Sequence, residues 1–402
     1  MSSGHPGCSS VLVEPNYPLH QFSKPSQRIW KDAGRVDAVT LRAKVDTRIR
    51  ELEAEIRFLK SCRNTGATTS SLPAEILSKV FLECAACSHP SSWIKVSHVC
   101  RLWRDVALNC PELWSNISLA VHPEFTNLML VRAKQVPLSL KFASYKIGHF
   151  EIMRKVLSRP NRLRLVDISN HGGVGLFSQT EIGNVLSDFS NSDTLQTLRL
   201  RGRETSIRGV PAASDHLPND FLDKIGVPPL LTDFQAAHFN IHWDRIPTIP
   251  TLTRLHLDNL SPHRPSQAHF LQSLQGMPRL QDLRLSGMLP RGPFASTGSP
   301  VSLPAIRRLE LRAAVAEICE FLLGTRIPGT ASLNIRVDGL PPTPESTSQF
   351  LAALTTNWIF LEGRCASRTS LREIRYTSTE NLMRYPEFQF WFGDHSPAMP
   401  KP

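Results

Sequence analysis

A six-residue pattern of leucines recurs along the last two thirds of the chain and limits the folds open to it. The pattern L-x-x-L-x-L starts at residues 195, 231, 252, 280, 306 and 371, and a looser copy starts at residue 163. The copies are 32, 36, 21, 28, 26 and 65 residues apart, and helix-like stretches such as EIMRKVLSR and AAVAEICEFLLG lie between them. Because successive side chains of a strand point to opposite faces, the leucines of each copy share one buried face. The sequence predicts strands alternating with helices.

Each copy resembles the strand signature of a leucine-rich repeat, which indicates an α/β fold built as an irregular solenoid. The longest gap leaves room for one more unit at residues 331–339. A strand and helix cannot bury their apolar face alone, and stacking against neighbouring units buries it. An ordinary α/β sheet also alternates strands with helices and stays open as the alternative.

The residues that flank the last two leucines of each copy are rich in arginine. They alternate with the buried leucines, so we expect them on the open face of the sheet. A guanidinium binds a carboxylate or phosphate through two parallel hydrogen bonds, which suits an acidic or phosphorylated protein segment. Plain solvation of the strand face is the alternative role. The candidate substrate-binding residues are Arg199, Arg201, Arg254, His256, Arg284, Arg308, Arg312, Arg336 and Arg375.

The chain ahead of residue 70 has two parts with different patterns. Residues 1–36 are rich in Ser, Pro, Gly and His without sustained periodicity, which predicts a disordered tail. Residues 37–62 carry apolar side chains at alternating steps of four and three, the spacing of a heptad seam on an amphipathic helix. With about two clean heptads, this helix either folds back onto its own protein or pairs with another chain as a coiled coil. The seam consists of Val45, Ile49, Leu52, Ile56 and Leu59.

Residues 70–117 hold the densest apolar pattern of the chain. Pro73 suits the first position of a helix and Glu75 suits its first turn. Two apolar sets at helical spacing follow, separated by the breaker HPSS at 89–92, and together they predict three short helices. These helices hold more large apolar groups than they can bury among themselves, so we expect an exposed face for a partner. Packing onto the downstream domain is the alternative.

Three stretches of this region resemble the F-box: LPAEIL at 72–77, VSHVCRLWRDVAL at 96–108 and CPELW at 110–114. With a charged helix ahead and a degenerate leucine-rich region behind, the chain also resembles the large F-box families of fungi. The resemblance implies that residues 70–117 dock on a Skp-type adaptor, and through it on the cullin of an SCF ubiquitin ligase. Residues 118–385 would then hold an unknown protein substrate, and residues 386–402 would form a C-terminal tail. The implied adaptor interface with its supporting core is Leu72, Pro73, Ile76, Leu77, Val80, Phe81, Val96, Val99, Cys100 and Trp103.

Motifs of catalytic, metal and nucleotide sites are incomplete in this sequence. Cys84-x-x-Cys87 invites a zinc or redox interpretation, but the neighbouring His98-x-Cys100 lacks the usual spacing of a second pair. Gly173-x-Gly175 follows a predicted strand as a phosphate loop would, but it lacks a third glycine and a lysine. We therefore expect a non-catalytic subunit without a metal or cofactor.

The balance of 46 Lys and Arg against 35 Asp and Glu gives a formal net charge of +11. This charge permits an acidic protein partner or a nucleic acid. Acidic residues alternate with the arginines, as Asp282 does with Arg284, and no aromatic stacking array accompanies them, which disfavours nucleic acid. A basic leucine-rich binding protein without a ligase role is the alternative function. The 8 cysteines in 402 residues and the lack of an 18-residue apolar run predict a soluble protein of the cytoplasm or nucleus.

Overall fold

A computed structural model of the chain describes residues 18–87, 92–118, 122–143, 149–169, 192–202, 215–217, 220–241, 243–258, 264–292, 300–337, 344–354, 371–377 and 387–392, and single positions between 183 and 189. For the last two segments it describes the backbone alone. The chain forms two compact units, Met1–Asn109 and Cys110–Pro402. The second unit therefore begins inside the segment 70–117, whereas the sequence predicts a boundary at its end.

Two helices open the described part of the first unit: α1 (Lys24–Asp32) and α2 (Ala38–Thr65). The Asp37 side chain caps α2 by accepting hydrogen bonds from the backbone N–H groups of Val39 and Thr40, as an aspartate before a helix does. Helix α1 lies within residues 1–36, so the prediction of a wholly disordered tail is wrong. The sequence signal for α1 is weak because this nine-residue segment has only two large apolar residues, Ile29 and Trp30.

Three further helical segments complete the first unit: α3 (Ala74–Cys87), a 3-10 segment at Ser92–His98, and α4 (Arg101–Leu108). Three helices are predicted here, and the middle one takes the tighter 3-10 form. The Pro73 carbonyl accepts the N–H groups of Ile76 and Leu77, which fixes the start of α3. The Ser97 carbonyl accepts a hydrogen bond of 2.9 Å from Nε of Arg104, which ties the 3-10 segment to α4.

Among the described residues, a sheet of 11 strands organises the second unit, in the order β1-β2-β3-β4-β6-β8-β9-β11-β13-β15-β14. From β1 to β13 every neighbouring pair is parallel, whereas β15 runs antiparallel to both β13 and β14. The strands are β1 (Asn116–Ser118), β2 (Leu138–Ala143), β3 (Leu163–Ser169), β4 (Thr197–Arg201), β6 (Asp233–Ala237), β8 (Arg254–Asp258), β9 (Asp282–Ser286), β11 (Arg308–Ala313), β13 (Ser332–Val337), β14 (Leu371–Thr377) and β15 (Glu387–Phe392). Two short pairs of strands are separate from this sheet. One pairs β5 (Asp215–His216) with β7 (Phe239–Asn240), and the other pairs β10 (Val301–Ser302) with β12 (Thr325–Arg326).

The leucines of the recurring pattern form the core, as the alternation predicts. In β8 and β9 buried residues alternate with half-buried polar ones, and the register aligns Leu255 with Leu283 and Leu257 with Leu285. Behind the sheet, the Trp243 ring lies 4.5 Å from that of Phe270, and the Phe270 ring lies 6.0 Å from that of Phe321. The helices between the strands are α5 (Pro123–Arg132), α6 (His149–Leu157), α7 (Phe221–Ile225), α8 (Gln267–Gln275), α9 (Val315–Gly324) and α10 (Pro344–Leu354).

The observed architecture is therefore a helical amino-terminal region followed by a largely parallel α/β sheet. Leucine-rich stacking into a solenoid goes beyond this observation and stays a prediction. A strand at Ser332–Val337 lies in the gap where one more unit is expected. Strand β15 lies in residues 386–402, so the expectation of a plain C-terminal tail is wrong at Glu387–Phe392.

Candidate functional site

The first candidate surface is an exposed set of large aliphatic side chains in the first unit, which we call the apolar face. Its members are 38% to 59% exposed: Leu72, Ile76, Val80, Val99 and Leu102. Ile76 and Val80 are four residues apart on α3, so they lie on one side of that helix. Val99 and Leu102 flank the start of α4, which packs against α3.

A buried core supports the apolar face. Leu77 and Phe81, which alternate with the exposed residues of α3, are 1% and 0% exposed. The Phe81 ring lies 5.2 Å from the Trp103 ring at an interplanar angle of 54°, which joins α3 to α4. Trp93 of the 3-10 segment and Val106 of α4 are also buried. The exposed set is therefore held on a packed base.

The structure divides the ten predicted adaptor residues into three groups. Five of them are exposed, namely Leu72, Pro73, Ile76, Val80 and Val99. Two are buried, Leu77 and Phe81, and three are half-buried, Val96, Cys100 and Trp103. The sequence prediction missed Leu102, which is 39% exposed and follows Val99 at a helical step of three.

The closing stretch of the motif, CPELW, lies in the second unit. Trp114 is 1% exposed, its ring lies 6.2 Å from that of Phe125, and the Arg132 guanidinium stands 4.3 Å from the Trp114 ring centre. Such a stacked arginine interacts favourably with the aromatic face. This tryptophan is therefore a core residue of the sheet unit.

The second candidate surface is a groove of ≈ 320 Å³ on the polar face of the sheet in the second unit, which we call the charged groove. The strand register places its side chains in rows that cross β3 to β13. One row runs Asp167, Arg199, Gln235, His256, Arg284 and Glu310, and the next runs Ser169, Arg201, Ala237, Asp258, Ser286 and Arg312. In the second row, Arg201 on β4 and Arg312 on β11 both line the groove.

Asp233 holds two of the arginines beside the groove. Its Oδ2 atom lies 2.6 Å from Nη2 of Arg199 and 2.9 Å from Nη1 of Arg254. Burial alone would raise the pKa of the Asp233 carboxyl, but the hydrogen bonds from Arg199 and Gln235 lower it below its ordinary value. The carboxylate is therefore charged and fixed.

Asp282 contacts three arginines and a histidine on this face. Its carboxylate lies 3.2 Å from Nε2 of His256, 3.3 Å from Nε of Arg284, 3.7 Å from Nε of Arg254 and 4.0 Å from Nη1 of Arg308. Burial opposes ionisation, but hydrogen bonds from His256 and Arg284 and their charges lower the pKa of Asp282 to about 2. Glu310 continues the series, with Arg284 at 3.6 Å and Arg336 at 3.8 Å.

The ion pairs that Asp233, Asp282 and Glu310 make with arginines form a series across the strands, which we call the ladder. In the ladder, positive charges outnumber negative charges. Three carboxylates, Asp233, Asp282 and Glu310, are shared among five arginines. Each guanidinium carries five N–H donors, which is more than one or two contacts with a carboxylate use. The polar face can therefore bind an additional anion while the carboxylates keep the arginines in place.

The structure brings together most of the predicted substrate-binding residues. Six of them line the charged groove: Arg199, Arg201, His256, Arg284, Arg312 and Arg336. Arg254 and Arg308 lie one row away, beside Asp282. Arg375 lies on β14, whose side chains fall outside the described part of the chain. The sequence alone could not indicate which arginines are bound to carboxylates on neighbouring strands.

Other candidate chemistry receives no support among the described residues. That part of the chain contains no group of three or more His, Cys, Asp and Glu side chains that could hold a metal ion. Cys84 and Cys87 are exposed free thiols, and Cys100 is half-buried. The glycines at 173 and 175 fall outside the described residues. None of the helices described is both long and apolar enough to cross a bilayer.

Comparison with known proteins gives a match in the region of the first of these surfaces. Residues 69–120 match the family model for the F-box-like domain, and this range includes every member of the apolar face. A search of curated proteins found no match to the chain.

Proposed function

We propose that this chain, an F-box protein by its F-box-like domain at residues 69–120, is the non-catalytic substrate receptor of an SCF-type ubiquitin ligase. F-box domains bind Skp-type adaptors, and a receptor of this kind contributes binding surfaces while other subunits transfer ubiquitin. The proposal assigns the adaptor to the apolar face and the substrate to the sheet unit.

The observation that carries the proposal is the contrast within α3 between exposed Ile76 and Val80 and buried Leu77 and Phe81. Large aliphatic side chains grouped on an exposed helix surface are typical of a partner interface. A partner that inserts helices beside α3 and α4 would remove these side chains from water without rearranging the core beneath them. This arrangement is what docking on a preformed surface requires.

Ion pairs in the charged groove support an acidic or phosphorylated protein segment as the substrate. Asp233, Asp282 and Glu310 hold the arginines in place before a ligand arrives, which reduces the entropy lost on binding. Across the second row, Arg201 and Arg312 stand four strand steps apart, which corresponds to about 19 Å. An extended segment with two acidic sites could therefore contact both ends.

Strand order supports the finer proposal that the sheet is a leucine-rich stack. From β1 to β13 the strands of the large sheet follow one another in chain order, all parallel. A doubly wound sheet reverses its strand order at a switch point, and no reversal occurs among these strands. Repeats that each contact only their neighbours give this order.

The experiment that tests the proposed function is purification of the tagged full chain from cells, with identification of the proteins that accompany it. We expect the Skp-type adaptor with the native sequence and its loss with Ile76→Asp plus Val99→Asp. Leu128→Asp is the matched control, because Leu128 is also 39% exposed but lies on α5. Capture of the adaptor by all three forms would refute the assignment. The same purification from separated cytoplasm and nucleus tests the location that we propose.

A further inference from the structure

We propose that α2 pairs two copies of this chain as a short parallel coiled coil. The sequence left open whether its heptad seam packs on the same protein or on another. None of the 28 residues of α2 is buried, and Val45, Ile49, Ile56 and Leu59 are 37% to 59% exposed. Leu52, the fifth seam residue, is half-buried. Within the described residues, the chain therefore leaves four of the five seam residues exposed.

Helix α1 covers a flank of α2, beside the seam. Nη2 of Arg48 donates to Ser23 and Nε donates to Ser26, while Lys44 lies 3.8 Å from Asp32. These contacts involve the amino-terminal half of α2. In the carboxyl-terminal layers, Leu52 is half-buried, whereas Ile49, Ile56 and Leu59 keep their side chains exposed to water. The fold-back alternative thus accounts for one flank and leaves most of the seam exposed.

The types of residue in the seam favour a pair of parallel helices. With Ile49 and Ile56 at heptad position a, Leu52 and Leu59 fall at position d. In parallel coiled coils, isoleucine at position a with leucine at position d favours an assembly of two helices. These four layers extend over about 15 Å of helix.

Charges that flank the seam match a second copy in the parallel orientation. Position g of one helix faces position e of the following heptad in its partner, which places Glu55 opposite Lys60 of the other copy. Because twofold symmetry relates the two copies, the pair of Glu55 and Lys60 forms twice in the dimer. Arg48 faces Glu53 of the other copy in the same way, although Arg48 also binds Ser23, Ser26 and Glu51 of its own chain.

An antiparallel pair with the same apolar layers would oppose like charges. Aligning Ile49 with Leu59 and Leu52 with Ile56 brings Glu55 against the second Glu55 and Glu53 against the second Glu53. Like charges directly opposite each other are unfavourable. The same alignment also brings Asp46 against Lys60 of the other copy, which offsets these repulsions, whereas the charged flanking pairs of the parallel arrangement are all attractive. The flanks therefore favour the parallel orientation and a second copy of this chain as the occupant.

Light scattering of the purified full chain tests this proposal by its molar mass at a series of concentrations. We expect a concentration-dependent rise toward twice the 45.0 kDa of one chain. Ile56→Asp should return the mass to that of one chain, whereas Phe58→Asp should not, because Phe58 is 66% exposed but lies off the seam. A single-chain mass at all concentrations, or equal effects of the two variants, would overturn the proposal.

A charge exchange tests the orientation. Glu55→Lys should weaken the dimer about tenfold, because two attractive pairs become repulsive, and Glu55→Lys with Lys60→Glu should restore it. A dimer of unchanged strength with Glu55→Lys would indicate the antiparallel pair, because there the substitution only replaces one like-charge pair with another, and it would overturn this proposal. Val80→Asp keeps the two proposals separate, since it should impair adaptor binding and leave the dimer intact. Loss of self-association with Val80→Asp instead would show that the chains associate through the apolar face.

Discussion

Phe81 of α3 packs against Trp103 of α4 with ring centroids 5.2 Å apart, and this contact fixes the helix surface on which Ile76 and Val80 are exposed. The two sets of residues interleave along α3, so one helix supplies both the core and the docking surface. Substitutions at adjacent positions should therefore have different effects. Changes at buried positions should reduce stability, and changes at exposed positions should reduce binding.

Phe81→Ala should lower the free energy of unfolding of the first unit by about 3 to 5 kcal/mol, the usual cost of removing a fully buried ring. Urea unfolding of the full chain followed by tryptophan fluorescence measures this change. Phe58→Ala is the control, because Phe58 is exposed and its loss should change stability by less than about 0.5 kcal/mol. Similar losses for both variants would contradict the assignment of Phe81 to the core.

Stability of the sheet unit should fall as the pH is lowered through the acidic range. The pKa of Asp282 is about 2 in the folded chain against an ordinary 3.8, so its contribution is fully present above the ordinary value. That contribution is lost as the pH falls from about 4 toward 2. A shift of this size corresponds to at most about 2 kcal/mol.

The Asp282→Asn variant should therefore unfold at lower urea concentration at pH 7 and show a smaller change between pH 4 and pH 2. Asp258→Asn serves as the control, because Asp258 lies on the polar face of the adjacent strand β8 without the ladder contacts described for Asp282. An unchanged urea midpoint for Asp282→Asn at pH 7 would show that the ladder does not stabilise the sheet.

Charge reversal at the two ends of the groove should abolish capture of an acidic segment. Arg199 and Arg284 also hold Asp233 and Asp282, so reversing them would disturb the sheet as well as the groove. Arg201→Glu with Arg312→Glu avoids those two carboxylates. The probe is a fluorescent peptide of alternating Glu and Gly, and its affinity should fall at least about tenfold.

The matched control for the groove is Arg279→Glu with Arg307→Glu, which changes the net charge equally at two exposed arginines that do not line it. An equal loss of peptide binding in this control would show that net charge, and not the groove, attracts the peptide. Binding of random duplex DNA at physiological salt in preference to the peptide would favour the nucleic-acid alternative.

A fragment of residues 110–402 should be more stable than a fragment of residues 118–402. The shorter one lacks Trp114, which packs against Phe125 and Arg132, and it lacks most of β1. Thermal unfolding monitored by circular dichroism compares the two fragments. Equal melting temperatures would contradict the placement of Trp114 in the core of the sheet unit.

Local patterns in the sequence predicted the elements well where one periodicity dominates. The recurring leucines indicated the parallel strands, and the spacing around Pro73 indicated α3, because both patterns follow from the geometry of a single element. Strands β1 and β2 carry no copy of the pattern and were missed. Strand β15 was missed because a strand that inserts antiparallel beside β13 depends on distant pairing.

The sequence could not separate exposed from buried members of the candidate sites. Ile76 and Leu77 are adjacent and equally apolar, yet one is 42% exposed and the other 1%, because only the packing of α3 on α4 distinguishes them. Likewise Arg199 and Asp233 are 34 residues apart in the chain, and only the register of β4 with β6 brings them together. Contacts of this kind depend on tertiary structure, which one element's pattern does not contain.

Titration calorimetry of the purified full chain with a purified Skp-type adaptor measures directly whether the apolar face docks on the adaptor. The native chain should bind one adaptor per chain, and Ile76→Asp with Val99→Asp should eliminate the heat of binding while the circular dichroism spectrum stays unchanged. The Leu128→Asp chain should bind as the native chain does. Undiminished adaptor binding by the folded double variant would contradict the account.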